Sequence, residues 1–263
     1  PYKAAAVGEV GDAQRGLEIM AEYTSGGDKV QMCYPFEMLQ PARLTAGLAK
    51  QTFDRLAAAA PGAWPCWAYS NHDTVRHITR WGLSDAGARV YATMLMCLRG
   101  SVCLYQGEEL GLPEAVDIPD DKRQDPTFFR TAGQSYGRDG CRVPLPWARS
   151  GASLGFGPGG SHLPQPAWYV DYSVEAQESK AGSTLELYRK LTKLRRELQT
   201  SEEYVWVKHL FNRNVLHFKR PNGWQSITNF GSKPIKLPKG ELLVSTMSLV
   251  DGKLAPNSTA WVK

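Results

Sequence analysis

As far as Tyr105 the chain alternates short apolar runs with longer amphipathic ones. Ala4 to Val10 reads as a strand and residues 13–24 as a weakly helical segment. Val30-Gln31-Met32-Cys33-Tyr34 reads as a second strand, ending at Pro35-Phe36-Glu37. Ala42 to Ala59 has a helix-forming composition and is bounded by Pro41 and Pro61. Trp67 to Ser70 is a third strand. A helix is expected next from Asp85 to Arg99, with Ser84-Asp85 as its cap and Ala88, Tyr91, Ala92, Leu95 and Leu98 at helical spacing. Val102 to Tyr105 is the fourth strand. Alternation of this kind predicts a parallel sheet covered by helices.

Residues 113–168 break the pattern. They are rich in Pro, Gly, Asp and Arg, and Ser150 to Pro166 is almost pure loop composition. A loop this long inside a compact domain is functional or disordered. Arg138 and Arg142, flanked by Asp139 and Trp147, argue for an ordered active-site loop. Leu185 to Leu198 is a strong amphipathic helix. From Tyr204 the runs are short and alternating: Val205-Trp206-Val207, Val215-Leu216-His217-Phe218 and Leu242-Leu243-Val244. Pro221-Asn222-Gly223, Lys239-Gly240 and Asp251-Gly252 mark turns between runs, so an antiparallel β domain is expected.

The formal charge of +5 on 263 residues is small. Lys and Arg are dense only between Arg189 and Arg196, in a helical pattern that reads as a solvated face, so no nucleic-acid partner is expected. No apolar run reaches the roughly 18 residues of a membrane span, so no membrane association is expected. The start, Pro1-Tyr2-Lys3, carries neither an initiator Met nor a signal-like segment, which predicts that the chain begins inside a longer protein. The five cysteines (Cys33, Cys66, Cys97, Cys103, Cys141) are odd in number and lack CxxC spacing. They predict free thiols in a reducing, cytoplasmic setting, with no metal site and no cofactor.

The chemistry gathers at strand ends, where parallel α/β folds place their active sites. Trp67-Ala68-Tyr69-Ser70-Asn71-His72-Asp73 carries an imidazole and a carboxylate to the end of a buried run. Alone, three polar residues after a strand usually just start a loop. Ala4-Ala5-Ala6-Val7-Gly8-Glu9 delivers a second carboxylate in the same way. Tyr105-Gln106-Gly107-Glu108-Glu109-Leu110-Gly111 and Gly137-Arg138-Asp139-Gly140-Cys141-Arg142-Val143-Pro144-Leu145-Pro146-Trp147 complete the set. With these four segments in this order, the chain resembles the α-amylase family of glycoside hydrolases (family thirteen), in its α-glucosidase branch.

The resemblance implies Glu9 as acid/base and Asp73 as transition-state stabiliser, with His72, Asn71, Arg142, Arg138 and Phe36 binding the sugar. It implies an α-linked glucose oligosaccharide or glucoside as substrate, cleaved from the chain end with retention. Only four β/α units precede the β domain, whereas a closed barrel needs eight. The family's nucleophile segment, of the type Asp-Gly-Phe-Arg-Asp, is absent. The expected fold is therefore α/β: residues 1–200 as the carboxyl-terminal half of a (β/α)8 barrel, strands five to eight, and residues 201–263 as a small antiparallel β domain. For stability the chain should need its missing amino-terminal half as a partner, a symmetric partner or a proteolytic origin, and alone it should be inactive.

Retaining hydrolysis needs an acid and a nucleophile about 5–5.5 Å apart, and the acid needs an apolar setting to keep its proton. Glu9, after Ala4 to Val7, is expected to be buried to its end; Asp73, beside Asn71 and His72, is expected to stay ionised. Arg138 and Arg142 could equally pair with Asp139 and Asp125 to hold the loop. Phe36, Trp67, Tyr69 and Trp147 suit either a sugar pocket or the core. Glu108 and Glu109 read as structural partners of arginines, and His77, His162, His209 and His217 as structural. Two other readings stay open: a transglucosylase or isomerase such as a trehalose synthase, and a non-catalytic amylase-like protein.

Overall fold

A computed structural model describes residues 4–12, 14–59, 61, 63–200, 203–209 and 212–263. Ala13, where the sequence pattern begins its first helix, and Ser201 and Glu202, where it begins the β domain, lie outside the described residues.

The amino-terminal elements are β1 (Val7–Val10), α1 (Gly16–Thr24), β2 (Met32–Pro35), α2 (Ala46–Ala59), β3 (Cys66–Trp67), α3 (His77–Arg80), α4 (Asp85–Leu95) and β4 (Ser101–Val102). β1 pairs in parallel with β2, Gly8 opposite Cys33 and Glu9 opposite Tyr34. A parallel bridge joins Cys33 to Pro65, and β3 pairs in parallel with β4, Cys66 opposite Ser101. Parallel neighbours need a crossover, and α1, α2 and α4 supply it.

α2 buries Ala46, Ala49, Thr52, Phe53 and Leu56, a stripe set by the helical repeat, and Phe53 meets Trp67 edge-on at 5.1 Å. The helix starts four residues after the expected Ala42, because the Thr45 hydroxyl accepts from the Leu48 N–H at 3.2 Å and so caps it there. α4 stops at Leu95 and does not reach Arg99. Its outgoing carbonyls are claimed from elsewhere: Arg195 donates to Met96 O and Leu98 O at 2.8 Å and to Gly100 O at 2.6 Å.

The expected burial of the first strand fails. Ala4 to Val7 are exposed, Glu9 is exposed, and only Val10 is buried. β1 belongs to a two-stranded ladder with β2, so among the described residues no strand pairs with its other edge.

Short helices α5 (Pro126–Arg130), α6 (Asp139–Arg142) and α7 (Val174–Gln177) punctuate the long irregular region, which ends in α8 (Thr184–Leu198). α8 buries Leu185, Tyr188, Leu191 and Leu198 along one side. Beyond it come β5 (Val205–Trp206), β6 (Val215–Lys219), β7 (Gln225–Asn229), β8 (Ile235–Lys236), β9 (Leu242–Ser245), β10 (Lys253–Leu254) and β11 (Ser258–Val262). Five of them form an antiparallel sheet in the order β5-β6-β7-β11-β9, and β8 pairs with β10.

β7 and the start of β11 escaped the hydrophobic pattern because their buried positions are largely polar. Ser226, Thr228, Asn229, Ser258 and Thr259 are all buried, and each finds partners. Thr228 and Thr259 hydroxyls bond at 2.9 Å, Thr259 also donates to Val90 O at 3.3 Å, and the Trp261 indole donates to Thr93 O at 3.2 Å.

The chain groups into two compact units. One comprises residues 1–68, 86–103 and 191–263, and the other residues 69–85 and 104–190. Among the described residues no helix is long and apolar enough to cross a membrane.

Gly100 is the tightest point of the first unit. Its φ is +82°, and a Cβ there would lie 2.3 Å from Pro65 O. Gly100→Ala forces both a left-handed alanine and a clash with backbone that cannot swing away, so it should lower unfolding free energy by more than about 2 kcal/mol. Chemical denaturation checks this, and a loss under about 0.5 kcal/mol would show that the Pro65 segment yields.

Candidate active site

After β3 the backbone leaves the sheet at Trp67, three residues earlier than the sequence pattern predicts. Arg80 donates to the carbonyls of Tyr69 and Val75, and Ser70 turns inward to His77. Ser70 Oγ lies 3.0 Å from His77 Nδ1 and accepts the His77 N–H at 2.9 Å. Asn71, itself buried, accepts the Asp73 N–H and the Thr74 hydroxyl, both at 3.0 Å. This Asx turn fixes the backbone of Asp73 and points its carboxylate outward.

Two guanidiniums converge on that carboxylate. Arg142 donates to Asp73 Oδ1 at 2.7 Å and Arg138 at 3.0 Å, while His72 Nε2 lies 3.5 Å from the same oxygen. Arg142 also donates from Nε to His72 O at 2.8 Å. Desolvation pulls the Asp73 carboxyl up, but the Arg138 hydrogen bond and the charges of His72, Arg138 and Arg142 outweigh it and hold the group below its ordinary 3.8. Asp73 thus stays ionised while its side chain keeps 42% of its exposure, open to a ligand.

The arginines flank the single turn of α6, and residues four apart share a helix face. Arg138 bridges Asp73 and Asp125, and Arg142 bridges Asp73 and the His72 carbonyl. Asp139 serves the backbone, accepting the N–H groups of Gln124 and Asp125 at 2.8 and 3.1 Å. The long loop is thus an ordered framework.

Two residues beneath the site went unnoticed in the sequence. Arg76, 1% exposed, donates to Gln106 O at 2.7 Å and Cys141 O at 3.0 Å, and its guanidinium sits 4.9 Å from the Tyr105 ring centre. Its N–H donates to the buried Glu114 at 2.8 Å, whose carboxyl is raised by burial against the pull of these donors. Of the two glutamates read as structural, Glu108 accepts from Tyr105 N at 3.3 Å and its charge acts on Arg80, while Glu109 closes on the Gly107 N–H at 2.8 Å. Tyr69 is core, 0% exposed against Trp81 at 5.1 Å, whereas Trp147 is 52% exposed.

Asn71, His72, Asp73, Arg138 and Arg142 therefore lie together in one compact unit. Glu9 and Phe36 belong to the other. There Glu9, with Gly8, Gly11, Asp12 and Tyr23, lines an open cleft of about 400 Å³. Phe36 stacks near Tyr34 at 6.4 Å, and a Cβ on Gly11 would lie 3.2 Å from its ring. Trp67 is core, its indole donating to Arg99 O at 2.7 Å. All five cysteines are free.

Parallel β/α units that carry acidic and basic groups at their strand ends are the architecture of half an α/β barrel. The pattern for the α-amylase catalytic domain matches residues 2–203, and the chain belongs to the α-amylase family. Over 196 residues it is 48% identical to a probable α-glucosidase of Rhizobium meliloti (strain 1021), covering 73% of this chain and 35% of that protein. An α-glucosyl transfer enzyme of known structure superposes with a TM-score of 0.80 at 35% identity, over 99% of this chain and 51% of that one. The trehalulose synthase of Pseudomonas mesoacidophila MX-45 gives a TM-score of 0.82 at 22% identity, over 100% of this chain and 56% of that one, a likeness of fold alone. The chain thus spans about a third of the curated relative's length and about half of the solved ones.

His77 carries a pH signature. Burial, with the charges of Arg80 and Arg76, pushes its imidazole from 6.5 down to about 3. The folded state keeps it neutral while the unfolded chain takes up a proton, so the stability it contributes is full above pH 6.5 and falls as pH drops from there to about 3. The slope is about 1.4 kcal/mol per pH unit. NMR of the labelled ring should show no titration between pH 8 and 4; a midpoint near 6.5 would show that the turn below Asp73 opens to water.

Proposed function

We propose that this chain is the part of a retaining, exo-acting α-glucosidase that carries the acid/base and the stabiliser, with maltose-like oligosaccharides or glucosides as substrate. The observation that carries this reading is the ionised Asp73 held on one oxygen by two arginines beside His72 and still open to a ligand. Its negative charge meets the positive charge that develops on the sugar ring in an oxocarbenium-like transition state. Glu9 protonates the leaving oxygen and then activates the water that resolves the intermediate. Asn71 and His72 hold the edge of the sugar with Arg138 and Arg142, and Phe36 stacks against it. The exposure of Glu9 leaves unmet the apolar setting that a proton-holding acid needs. In this reading that cover comes with the sugar and the other half of the barrel.

Residues 1–200 then correspond to strands five to eight of the barrel with the long loop, and 201–263 to the C-terminal β domain. The 263 residues contain no Asp-Gly-Phe-Arg-Asp type segment, so the covalent nucleophile is supplied by other sequence and these residues alone do not turn over. A reducing cytoplasmic setting completes the reading and suits the free thiols.

A second reading has one observation in its favour, the 35% identity to an α-glucosyl transfer enzyme. There a sugar instead of water resolves the intermediate, which the groups described here serve equally well.

Both readings are tested in the protein that joins this chain to the rest of its barrel, with maltose and p-nitrophenyl α-D-glucoside. Asp73→Asn should lower kcat on both by about 10³-fold or more. Glu9→Gln should cost about 10²–10⁴-fold on maltose and far less on the aryl glucoside, whose leaving group needs little protonation. Glucose as the sole product of maltose marks the hydrolase, and new disaccharides mark the transferase. A folded protein inert on both substrates would overturn the enzymatic assignment in favour of a non-catalytic amylase-like role.

A further inference from the structure

We infer that Asp125 is a positioning residue, whose buried carboxylate locks Arg138 onto one oxygen of Asp73 and leaves the other oxygen for the sugar. The inference rests on the glycosidase reading for its kinetic consequence but on geometry for its substance.

Arg138 is held at both ends. Asp125 Oδ2 accepts its backbone N–H at 3.0 Å and its side-chain Nε–H at 2.7 Å, so one oxygen pins the residue's main chain and the root of its guanidinium. The far end, Nη1, then meets Asp73 Oδ1 at 3.0 Å. Arg142 and His72 approach that same oxygen, so among the described residues the three contacts converge on Oδ1. The Asp125 carboxylate is itself fixed. Its Oδ1 accepts the Thr127 N–H at 2.7 Å, capping α5, and its side chain is 1% exposed. Gly137, at φ +65°, closes over it so tightly that a Cβ there would lie 2.6 Å from Asp125 Cγ. Arg142, in contrast, has a carbonyl as its second partner among the described residues.

The physical logic is a division of charge. Arg138 sits between a buried and a half-exposed carboxylate, and the buried one, stripped of water, holds it more firmly. With Asp125 neutralised, the guanidinium loses the anchor at Nε and no longer keeps one place on Asp73. Misplacement of about 1 Å in a reacting constellation costs on the order of 10²-fold in rate.

The test uses Asp125→Asn, Arg138→Ala and the double variant, again in the protein with its complete barrel. Asp125→Asn keeps the shape and the carbonyl that caps α5, so folding should survive, as thermal unfolding would show. On an α-glucoside, kcat/KM should fall by about 10- to 100-fold in either single variant, and the double variant should be no worse than Arg138→Ala. Multiplying losses would mean that Asp125 acts through general stability and would overturn the inference. A second measurement needs no turnover: the carboxyl ¹³C titration of Asp73. It should move up toward 3.8 in Asp125→Asn as it does in Arg138→Ala. An Asp73 that titrates as in wild type after Asp125→Asn, yet shifts in Arg138→Ala, also overturns the inference. Absence of turnover in the wild type would sink the glycosidase reading while leaving the titration to decide the role of Asp125.

Discussion

The candidate site depends on one buried guanidinium. Arg76 ties together the turn that carries Asp73, the segment after β4 through Gln106, and the arginine-bearing helix through the Cys141 carbonyl. Its own N–H engages Glu114. Charges this deep are costly to desolvate; both terminal nitrogens of Arg76 are met by those carbonyls, while its buried Nε has no hydrogen-bond partner among the described residues. Removing one partner of such a set leaves the others stranded in a medium without water, typically at about 3–5 kcal/mol. The turn, the strand end and the arginine helix consequently hold one mutual arrangement, and Asp73 inherits its direction from it.

Around this anchor the polar groups separate into those that build and those that are presented. Glu114, Asp125 and Asp139 are buried and satisfied by backbone or guanidinium donors. Asp73, His72, Arg138 and Arg142 sit at the surface of that framework with 34% to 57% of each side chain exposed. The surface set does the recognising because the buried set forbids it to relax. Glycines close the joints: Gly140 lets α6 lie on Glu114, since a Cβ there would come within 2.4 Å of Oε1.

Much of this was legible in the chain. The β/α alternation placed four parallel strands, since apolar runs of strand length separated by helical stripes leave few other solutions. The Asn71-His72-Asp73 triplet and the paired Arg138 and Arg142 were found as motifs. Lengths and boundaries were less legible, because they are decided by partners far along the chain. α4 ends where Arg195 takes its carbonyls, and α2 begins where Thr45 caps it. Burial of β1 was misread because apolarity records a preference, and exposure depends on which neighbours the strand has. Arg76 and Glu114 were invisible for the opposite reason: charged residues are rarely buried, so nothing in their local sequence marks them. β7 was missed because its buried positions are mainly Ser, Thr and Asn, and β11 because its apolar residues follow the buried Ser258 and Thr259.

Those two strands also bear on how the protein survives its own synthesis. A central strand built from Val and Ile is, before its neighbours exist, a template for pairing with other chains. Gln225-Ser226-Ile227-Thr228-Asn229 and Ser258-Thr259-Ala260-Trp261-Val262 are bonded inside the finished sheet, and beside the apolar cluster of Ile227, Ala260 and Val262 they bury Ser226, Thr228, Ser258 and Thr259. The hydroxyl pair of Thr228 and Thr259 gains its value only when β7 and β11 meet in register. A sheet that sets a matched hydroxyl pair beside its apolar cluster ties part of its stability to correct register.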